Sequence, residues 1–356
     1  MKKKKTRSAK KSKKLKILGV CGGNGVILFP LRRYVIGNIE DRGVFKTKKN
    51  LQWYYNFKVP FVDDLMVAKF LFSSPDIIIG APNCGTSSIL GFTGNKNRKS
   101  PTEDESIRMF FQSIMDYQPK IWIMENLPAL LNHITMQDFK EKFPEYRFIF
   151  HSMSMGELGN SQKTRKRLIV IALKEPVKPE VFMAFSEINQ QSEPKRIQDL
   201  IGDLDKDSYK NGNVREPEKK KIKMGKTSFS FKEIKEGWDT FRKDEKYWPL
   251  DLDDKESNYI PGVYRLLPED WPQTVRQDPR QFRWDGVPLS PRELGRIQGV
   301  SDDFKLYTPG PKETDKLFGK KPSYYVNRAR ITVAKGAPYE LGLWLKSKLD
   351  VVKKHI

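Results

Sequence analysis

The amino-acid sequence predicts an α/β fold with a mostly parallel, doubly wound sheet and a second, smaller irregular domain. Three observations indicate this fold. Short apolar runs recur along the first half of the 356-residue chain, stretches with apolar residues at helical spacing separate them, and a glycine-rich turn follows the first run. Runs that are apolar throughout are typical of strands buried on both faces, which requires helices on both sides of the sheet.

The apolar runs predict six strands, at residues 16–20, 34–39, 76–79, 121–124, 147–150 and 168–172. Residues 105–117 predict an intervening helix, because Ile107, Phe110, Phe111 and Ile114 recur at helical spacing. The alternation of strands and helices therefore supports a sheet that is covered on both faces.

Composition divides the chain into three parts. After residue 174 the regular rhythm gives way to proline, glycine and mixed charge, and it resumes near Ser290. Pro291 suits the first position of a helix, and a last helix is predicted near residues 338–349. The predicted division is a basic tail at residues 1–15, a main domain at 16–175 and 286–356, and an irregular insert at 176–285.

The charge balance predicts a polyanionic partner. The chain has 66 Lys plus Arg against 44 Asp plus Glu, a formal net charge of +22. Residues 1–16 hold ten of these cations and no acid, so the remainder still carries +12. We expect the tail to be disordered, and to serve as a solubilising segment, a phosphate contact or a nuclear address.

Two cysteines and the lack of any apolar run of about 18 residues exclude several protein classes. These are disulfide scaffolds, four-cysteine zinc sites and membrane spans. No apolar signal-peptide core follows the basic start, so we expect a reducing, cytoplasmic setting, with the nucleus not ruled out. We further expect a monomer without a bound metal.

A glycine turn at residues 21–25 (Cys-Gly-Gly-Asn-Gly) follows the first predicted strand, and the second ends at Glu40 and Asp41. Glycines allow the backbone to approach a ligand, and a carboxylate after the second strand can hold ribose hydroxyls. The pattern favours a nucleotide site, while a tight turn without a ligand remains the alternative.

Two more predicted strands end in reactive residue types. Cys84 follows the third strand and Pro82, where open α/β sheets bind ligands. Its thiol is either an inert apolar group or a nucleophile, which requires nearby positive charge such as Arg165 and Arg167. Glu125 follows the fourth run, where its carboxylate either acts as an acid or hydrogen-bonding anchor or complements a helix dipole.

Together, these pieces resemble the DNA cytosine-5 methyltransferase family in its usual motif order, over nearly the whole chain outside the tail and the insert. The family's cofactor loop, Phe-x-Gly-x-Gly-Gly, corresponds to Val-Cys-Gly-Gly-Asn-Gly at residues 20–25, and its nucleophile loop, Pro-Pro-Cys-Gln-x-Phe-Ser-x-x-Gly, corresponds to Pro-Asn-Cys-Gly-Thr-Ser-Ser-Ile-Leu-Gly at 82–91. Glu-Asn-Val corresponds to Glu-Asn-Leu at 125–127, and the Arg-x-Arg that ends Gln-x-Arg-x-Arg corresponds to Arg-Lys-Arg at 165–167, with one residue extra after Gln162. The family's ninth motif corresponds to residues 271–274, 289–298 and 302–304.

The resemblance implies a Rossmann-like class I methyltransferase fold, S-adenosylmethionine as cofactor and double-stranded DNA as partner. The implied cofactor-binding residues are Val20, Gly22, Asn24, Gly25, Glu40, Asp41, Asp63, Pro82 and Lys335. The residues expected to contact nucleic acid are Ser88, Lys219, Lys220, Lys221, Thr274 and Arg292. A solvated loop is the alternative interpretation of the lysine cluster.

The resemblance also implies a mechanism. Cys84 adds to C6 of a flipped-out cytosine, which makes C5 nucleophilic enough to attack the cofactor. Glu125 bonds N3 and the exocyclic amine of the base, and Arg165, with Arg167 nearby, steadies the base and the developing charge. Removal of H5 and elimination of the thiolate then restore the ring.

The sequence departs from the family pattern around the cofactor and the nucleophile. Val20 replaces Phe, Asn24 replaces Gly, Asn83 replaces the second Pro and Gly85 replaces Gln. The last motif, Gly-Asn-x-Val-Pro in the family, here is Ala-Lys-Gly-Ala-Pro at residues 334–338.

This last departure puts Lys335 where the family has a neutral amide near the sulfonium. Two like charges 4 Å apart repel by on the order of 4 kcal/mol at an effective dielectric constant of 20. Lys335 therefore pairs with a protein acid, turns to solvent, or meets a carboxylate on carboxy-S-adenosylmethionine. The last case would yield 5-carboxymethylcytosine instead of 5-methylcytosine.

Two rival functions remain open. A tRNA-methylating branch shares the fold and the nucleophile loop, but it generally lacks a recognition insert as long as residues 176–285. A catalytically silent DNA-binding relative is suggested by the altered Pro-Asn-Cys-Gly loop, whereas the retention of Cys84, Glu125, Arg165 and Arg167 favours an enzyme.

Overall fold

The computed structural model describes residues 14–40, 51–83, 104–204, 212, 221–224, 227–233, 235–236, 264–275, 280–308 and 322–355. Several predictions lie outside these residues. They concern most of the basic tail and the site candidates Asp41, Cys84, Ser88, Lys219 and Lys220, together with the side chain of Lys221.

A seven-stranded sheet forms the centre of the molecule, with the strand order β3-β2-β1-β4-β5-β7-β6. Its strands are β1 (Ile17–Val20), β2 (Val35–Ile39), β3 (Phe61–Val62), β4 (Ile77–Gly80), β5 (Ile121–Asn126), β6 (Tyr146–Ser154) and β7 (Lys166–Lys174). The first five strands of this series are parallel, and β7 runs antiparallel to both β5 and β6. The mostly parallel sheet is therefore confirmed, and each predicted apolar run coincides with a strand.

The sheet is buried on both faces because successive residues of each strand point to opposite sides. Ile77 and Ile79 belong to one apolar core, and Ile78 belongs to the other. In β5, Ile123 and Trp122 divide in the same way. This arrangement explains why the strands read as continuous apolar runs.

Helices cover both faces. They are α1 (Leu51–Asn56), α2 (Leu65–Leu71), α3 (Glu105–Tyr117), α4 (Met136–Lys142), α5 (Pro179–Ser186), α6 (Ile197–Ile201), α7 (Pro291–Ile297), α8 (Pro322–Lys335) and α9 (Tyr339–His355). The predicted helix α3 begins after Asp104, whose side chain accepts from Ser106 N, and it ends at Gln118 in the left-handed region. Within the described residues, no helix is long and apolar enough to cross a membrane.

The C-terminal helices return to the start of the chain. In α9, Leu341, Trp344 and Leu345 are buried in the same core as residues 26–31, which follow β1. A Cβ on Gly342 would lie 2.2 Å from Ile27 O, so this close approach requires glycine. The carboxyl end of β1 and the helices α8 and α9 therefore belong to one packed unit.

The described part of the insert contains two small sheets. Strands β8 (Lys221–Met224) and β9 (Thr227–Ser230) form an antiparallel pair, and β10 (Tyr264–Arg265) and β11 (Gln281–Phe282) form a parallel pair. Helix α7 follows, with Ser290 and Glu293 forming a capping box and Pro291 in the first turn, as the sequence predicts.

Candidate active site

The glycine turn after β1 folds back onto the second strand. Gly22 N donates to Asn38 Oδ1 at 3.2 Å, and a Cβ on Gly22 would lie 2.7 Å from the same oxygen. Gly23 and Gly25 have φ values of +56° and +85°, which side chains rarely adopt. A Cβ on Gly25 would also meet Phe57 at 2.4 Å, so this glycine packs against α1 and the residue that follows it.

Glu40 lies directly beneath this turn, at the end of β2. It is buried, and its Oε2 accepts hydrogen bonds from Gly23 N at 2.8 Å and Asn38 Nδ2 at 3.3 Å. Its backbone nitrogen donates to Val62 O of β3, and half-buried Asp63 comes next along the chain. The structure thus brings the glycine turn, Glu40 and Asp63 together at the carboxyl edge of the sheet.

Two observations fit a nucleotide-containing cofactor here. A Cβ on Gly23 would meet no heavy atom within 4 Å, so space opens above the turn. Asn24 Nδ2 donates to Thr332 Oγ1 at 2.9 Å, whereas the buried Asn24 Oδ1 has no hydrogen-bond partner among the described residues. An open backbone turn beside a carboxylate and an unsatisfied acceptor suits a ligand with hydroxyl and ammonium donors. Val20 is buried at the end of β1.

The end of β4 lies beside the end of β5. Gly80 is paired with Met124 in the parallel register, and Asn126 Nδ2 donates to Pro82 O at 3.1 Å. Asn83 N donates to Ser106 Oγ at 2.8 Å, which ties the segment before Cys84 to the start of α3. Pro82 is buried and Asn83 is exposed, so the chain reaches the surface at the last described residue before Cys84.

Glu125 forms an ion pair with Arg167, whose Nε lies 2.7 Å from Glu125 Oε1. Glu125 is opposite Ile169 in the β5–β7 register, and Arg167 precedes Ile169 by two residues, so both side chains point to the same face. The side chains retain only 9% and 14% of their exposure, respectively. Glu125 lies within β5, whereas the sequence placed it just after the strand.

Arg165 is buried and points into a polar network. Its Nη1 donates to Gln298 Oε1 at 2.6 Å, and its Nη2 donates to Gly336 O at 3.0 Å. Gln298 Nε2 donates to the same carbonyl at 3.1 Å, and Gln162 Nε2 reaches Gln298 Oε1 at 2.5 Å. Arg165 therefore joins β7 to the ends of α7 and α8.

Sequence reasoning did not assign functional roles to Gln162 or Gln298, although both lie in the motifs that it quoted. Gln162 Oε1 accepts from Val275 N at 2.9 Å, which attaches the segment after β10 to this network. The available signal was the presence of both glutamines in matched motifs, but the sequence does not show that they meet.

A buried carboxylate completes the network. Asn160 Nδ2 donates to Glu340 Oε2 at 2.8 Å and to Gln298 O at 3.2 Å. Burial raises the pKa of Glu340 from 4.5 to about 7, although the hydrogen bond from Asn160 and the charge of Arg165 oppose the rise. Burial of this carboxylate is not predictable from the sequence, because a glutamate in the first turn of a helix is normally exposed.

Three remaining candidates lie in different surroundings. Lys335 is exposed as the last residue of α8, where a cation complements the helix dipole. Thr274 is exposed after β10. Arg292 differs from expectation: it is fully buried, its Nη2 donates to Phe304 O at 2.6 Å, and its Nη1 lies 3.5 Å from Asp302. This guanidinium holds α7 to the following loop, so a contact with DNA does not fit it.

Comparisons with known proteins place these observations in a family. The chain is 27% identical over 305 residues to a candidate type II methyltransferase of Methanocaldococcus jannaschii, covering 82% of this chain and 74% of that protein. The fold is similar to a candidate DNA modification methyltransferase encoded within an Escherichia coli prophage, with a TM-score of 0.59 and 15% identity over 96% of this chain and all of the other.

Two further solved structures share the fold. The Entamoeba histolytica methyltransferase EhMeth gives a TM-score of 0.57 with 14% identity over 96% of this chain and 99% of its own. The Schizosaccharomyces pombe Dnmt2 methyltransferase gives 0.54 with 10% identity over 95% and 99%. The family model for C-5 cytosine-specific DNA methylases matches residues 44–321, which is most of the chain. The suspected resemblance is thereby confirmed: the chain is a transferase that belongs to the C-5 cytosine-specific DNA methylase family.

Proposed function

We propose that this protein transfers a methyl group to C5 of a flipped-out cytosine in double-stranded DNA, with Cys84 as the nucleophile. Membership of the family implies S-adenosylmethionine as the methyl donor and DNA as the substrate. The observation that carries the proposal is the juxtaposition of the ends of β4 and β5. The hydrogen bond from Asn126 to Pro82 O holds the start of the nucleophile loop beside the strand that presents Glu125.

Glu125 has the surroundings that its proposed role requires. A carboxylate that bonds N3 and the exocyclic amine of cytosine must be held in one orientation before the base arrives. Arg167 fixes it at 2.7 Å, and Arg167 is itself anchored because its Nη1 donates to Lys166 O at 2.7 Å. Arg167 therefore positions Glu125, and it lies close enough to steady charge on the base.

Arg165 supports the site from behind. In this structure its guanidinium hydrogen-bonds to Gln298 and Gly336, so it braces the polar network that underlies the strand bearing Arg167. The proposed contact between Arg165 and the base would require this network to rearrange. We therefore assign positioning to Arg165 and direct contact to Glu125 and Arg167.

The cofactor would be held at the carboxyl edge of β1 and β2. Gly22, Gly25 and Asn24 would shape the turn, Glu40 would accept from ribose hydroxyls, and Asp63 would accept from the adenine amino group. Val20, Pro82 and Asp41 complete the proposed set, although Asp41 lies outside the described residues. When bound, S-adenosylmethionine supplies an electrophilic methyl group on a sulfonium.

DNA would lie between the main domain and the insert, with phosphate contacts providing affinity and the insert reading sequence. Lys219, Lys220, Lys221, Ser88 and Thr274 are the proposed contacts. Thr274 is exposed in a segment that Gln162 attaches to the polar network through Val275, so it lies at the border between the two parts.

The decisive experiment measures the product and the covalent intermediate. Purified protein is incubated with DNA and S-adenosylmethionine, the DNA is digested, and the nucleosides are identified by mass spectrometry. A second incubation, with DNA that contains 5-fluorocytosine, tests for a trapped covalent adduct. We expect 5-methylcytosine and an adduct for the wild type, and neither for Cys84→Ser with DNA binding retained. An adduct that persists in Cys84→Ser would contradict the proposal.

A parallel reaction on transfer RNA tests the rival substrate. Methylation of RNA without methylation of DNA would replace the proposed substrate. Binding of DNA without either product or adduct, across a range of DNA sequences, would favour the catalytically silent relative.

A second candidate product is 5-carboxymethylcytosine, made from carboxy-S-adenosylmethionine. The observation that favours it is the position of Lys335, because the end of α8 contacts the glycine turn through the Asn24–Thr332 hydrogen bond. Gly336 lies near the residue that follows the turn, since a Cβ added at this glycine would be 2.9 Å from Val26 Cγ2. Lys335 is exposed, which fits both the solvent-facing alternative and a contact with a carboxylate on the cofactor.

Competition between the two cofactors distinguishes these products by nucleoside mass. The carboxymethyl candidate requires that Lys335→Asn shift the product ratio towards 5-methylcytosine. Methyl product alone, from wild type supplied with both cofactors, would eliminate it.

A further inference from the structure

Trp271 lies between two cations at the border of the insert. Lys163 Nζ lies 3.4 Å and Arg196 Cζ 3.8 Å from the centroid of the same indole ring. Both distances are well inside the range for cation–π attraction, and Trp is the most effective ring for it. Because both cations are so close to one centroid, they lie within about 7 Å of each other by geometry alone.

Three segments of the chain are joined beneath this cluster. Lys195 N donates to Ser161 Oγ at 2.9 Å, which connects the segment before α6 to the turn before β7. Ile197 N donates to Asp270 O at 3.1 Å, and Val275 N donates to Gln162 Oε1 at 2.9 Å. The positions of the two cations are therefore set by backbone bonds rather than by free loops.

The cluster is exposed and carries two positive charges. Lys163 and Arg196 are exposed, and Trp271 retains 37% of its surface. In the part of the chain that the structure describes, neither cation forms an ion pair; Arg196 Nη1 instead donates to Glu269 O at 3.0 Å. Two exposed cations held this close repel each other, so the arrangement favours anions that bind beside the ring and offset both charges.

The cluster also borders the candidate active site. Lys163 is two residues from Arg165 along the chain, so their Cα atoms lie within roughly 7 Å. Lys163 also precedes Arg167 by four residues, so the segment that carries this cation leads directly into the end of β7 that bears Arg167.

We propose that Lys163 and Arg196, held by Trp271, bind backbone phosphates of the DNA substrate. This inference rests on the proposed function, because it assumes that DNA is the partner. It assigns the cluster to affinity rather than to sequence recognition, since phosphate contacts carry no base information. Trp271 is a positioning residue: its ring is covered by cations and is not offered to a base.

The test uses the salt dependence of DNA affinity, measured by fluorescence anisotropy with a labelled duplex. Each phosphate contact contributes about 0.9 to the slope of log K against log salt for B-DNA. Lys163→Gln with Arg196→Gln should therefore reduce the slope by roughly 2 and weaken binding about equally for target and non-target duplexes.

A matched control removes the same charge elsewhere. Lys140 near the end of α4 and Lys178 before α5 are exposed, and both lie close to the amino edge of the parallel strands, opposite the site. Lys140→Gln with Lys178→Gln should leave the slope unchanged. Trp271→Leu, with both cations retained, should lower the slope in part, and Trp271→Phe should restore most of it.

The outcomes separate this inference from the proposed function. If the wild type modifies DNA but the Lys163→Gln, Arg196→Gln variant keeps the wild-type slope, the phosphate assignment is overturned and the proposed function stands. An equal loss of slope in the control pair would show a nonspecific effect of net charge and would also overturn it. A wild type without affinity for DNA would overturn both.

Discussion

Glu340→Gln should flatten the pH dependence of stability. Glu340 is 3% exposed in the first turn of α9, and burial raises its pKa from 4.5 to about 7. A pKa that is higher in the folded protein than in the unfolded chain means that folding favours the protonated form. The associated stability is fully present below about pH 4.5 and is lost as the pH rises to about 7.

The magnitude follows from the shift. A rise from 4.5 to about 7 corresponds to on the order of 3 kcal/mol of free energy of unfolding. Most of this, roughly 2.5 kcal/mol, is lost between pH 5 and pH 8. Glutamine is neutral at every pH, and its carbonyl oxygen can accept from Asn160 Nδ2 as the carboxylate does at 2.8 Å. The variant should therefore lack this part of the pH dependence.

Urea unfolding at pH 5 and pH 8, for wild type and variant, measures the effect as a double difference. Other titrating groups, including the three histidines, contribute equally to both proteins and cancel. Glu193→Gln is the matched control, because Glu193 is exposed. Equal losses of stability from pH 5 to pH 8 in wild type and Glu340→Gln would refute the reasoning.

Three other perturbations test the site. Glu125→Gln should lower kcat by about 10² to 10⁴, because glutamine cannot transfer a proton to the base. DNA affinity should be retained, because the two side chains have nearly the same volume. An unchanged single-turnover rate would contradict this prediction. Gly23→Ala should reduce cofactor affinity, because the new methyl group enters the open space above the turn, and should lower the free energy of unfolding by about 1 kcal/mol because of the positive φ. Gly25→Ala should lower the free energy of unfolding more, because its Cβ would also meet Phe57. Calorimetric titration measures the affinity and thermal melts measure the stability; a larger loss of stability in Gly23→Ala than in Gly25→Ala would contradict this. Gln298→Ala should lower the free energy of unfolding by about 1 to 3 kcal/mol, because the variant removes the oxygen that accepts from Arg165 Nη1. Denaturant titration measures this free energy. An unchanged value would mean that water replaces the amide.

The central strands were predictable because they are buried on both faces. Their apolar runs have few polar interruptions, which is typical of strands in a parallel sheet that helices cover on both sides. Helix α8 was not predicted, because Asn327, Arg328 and Arg330 interrupt its apolar pattern. Arg330 is fully buried in the structure, where its Nη2 donates to Leu289 O at 2.6 Å. Arginine is normally expected at the surface, but this one faces the core. Its burial is explained by its hydrogen bond to Leu289 O, which is distant in sequence.

The site was predictable to the extent that it depends on motif order. The glycine turn, Glu40 and Asp63 meet at one sheet edge because parallel strands present their carboxyl ends together. The orientation of Arg165 was not predictable, because it is decided by Gln298, a residue 133 positions away in sequence. Burial of Arg292 has a more local origin, since its acceptor Phe304 O is only 12 positions away, in the loop that follows α7.

The departures from the family pattern are related by contact. The family match covers residues 44–321, so both the glycine turn and the end of α8 lie outside it. In the folded protein these two segments touch: Asn24 Nδ2 donates to Thr332 Oγ1, and a Cβ on Gly336 would lie 2.9 Å from Val26 Cγ2. A change at Asn24 therefore alters the support of the helix end that carries Lys335. Because close-packed neighbours couple energetically, the unusual turn and the unusual lysine form one altered surface at the proposed cofactor site, and they are not two independent changes.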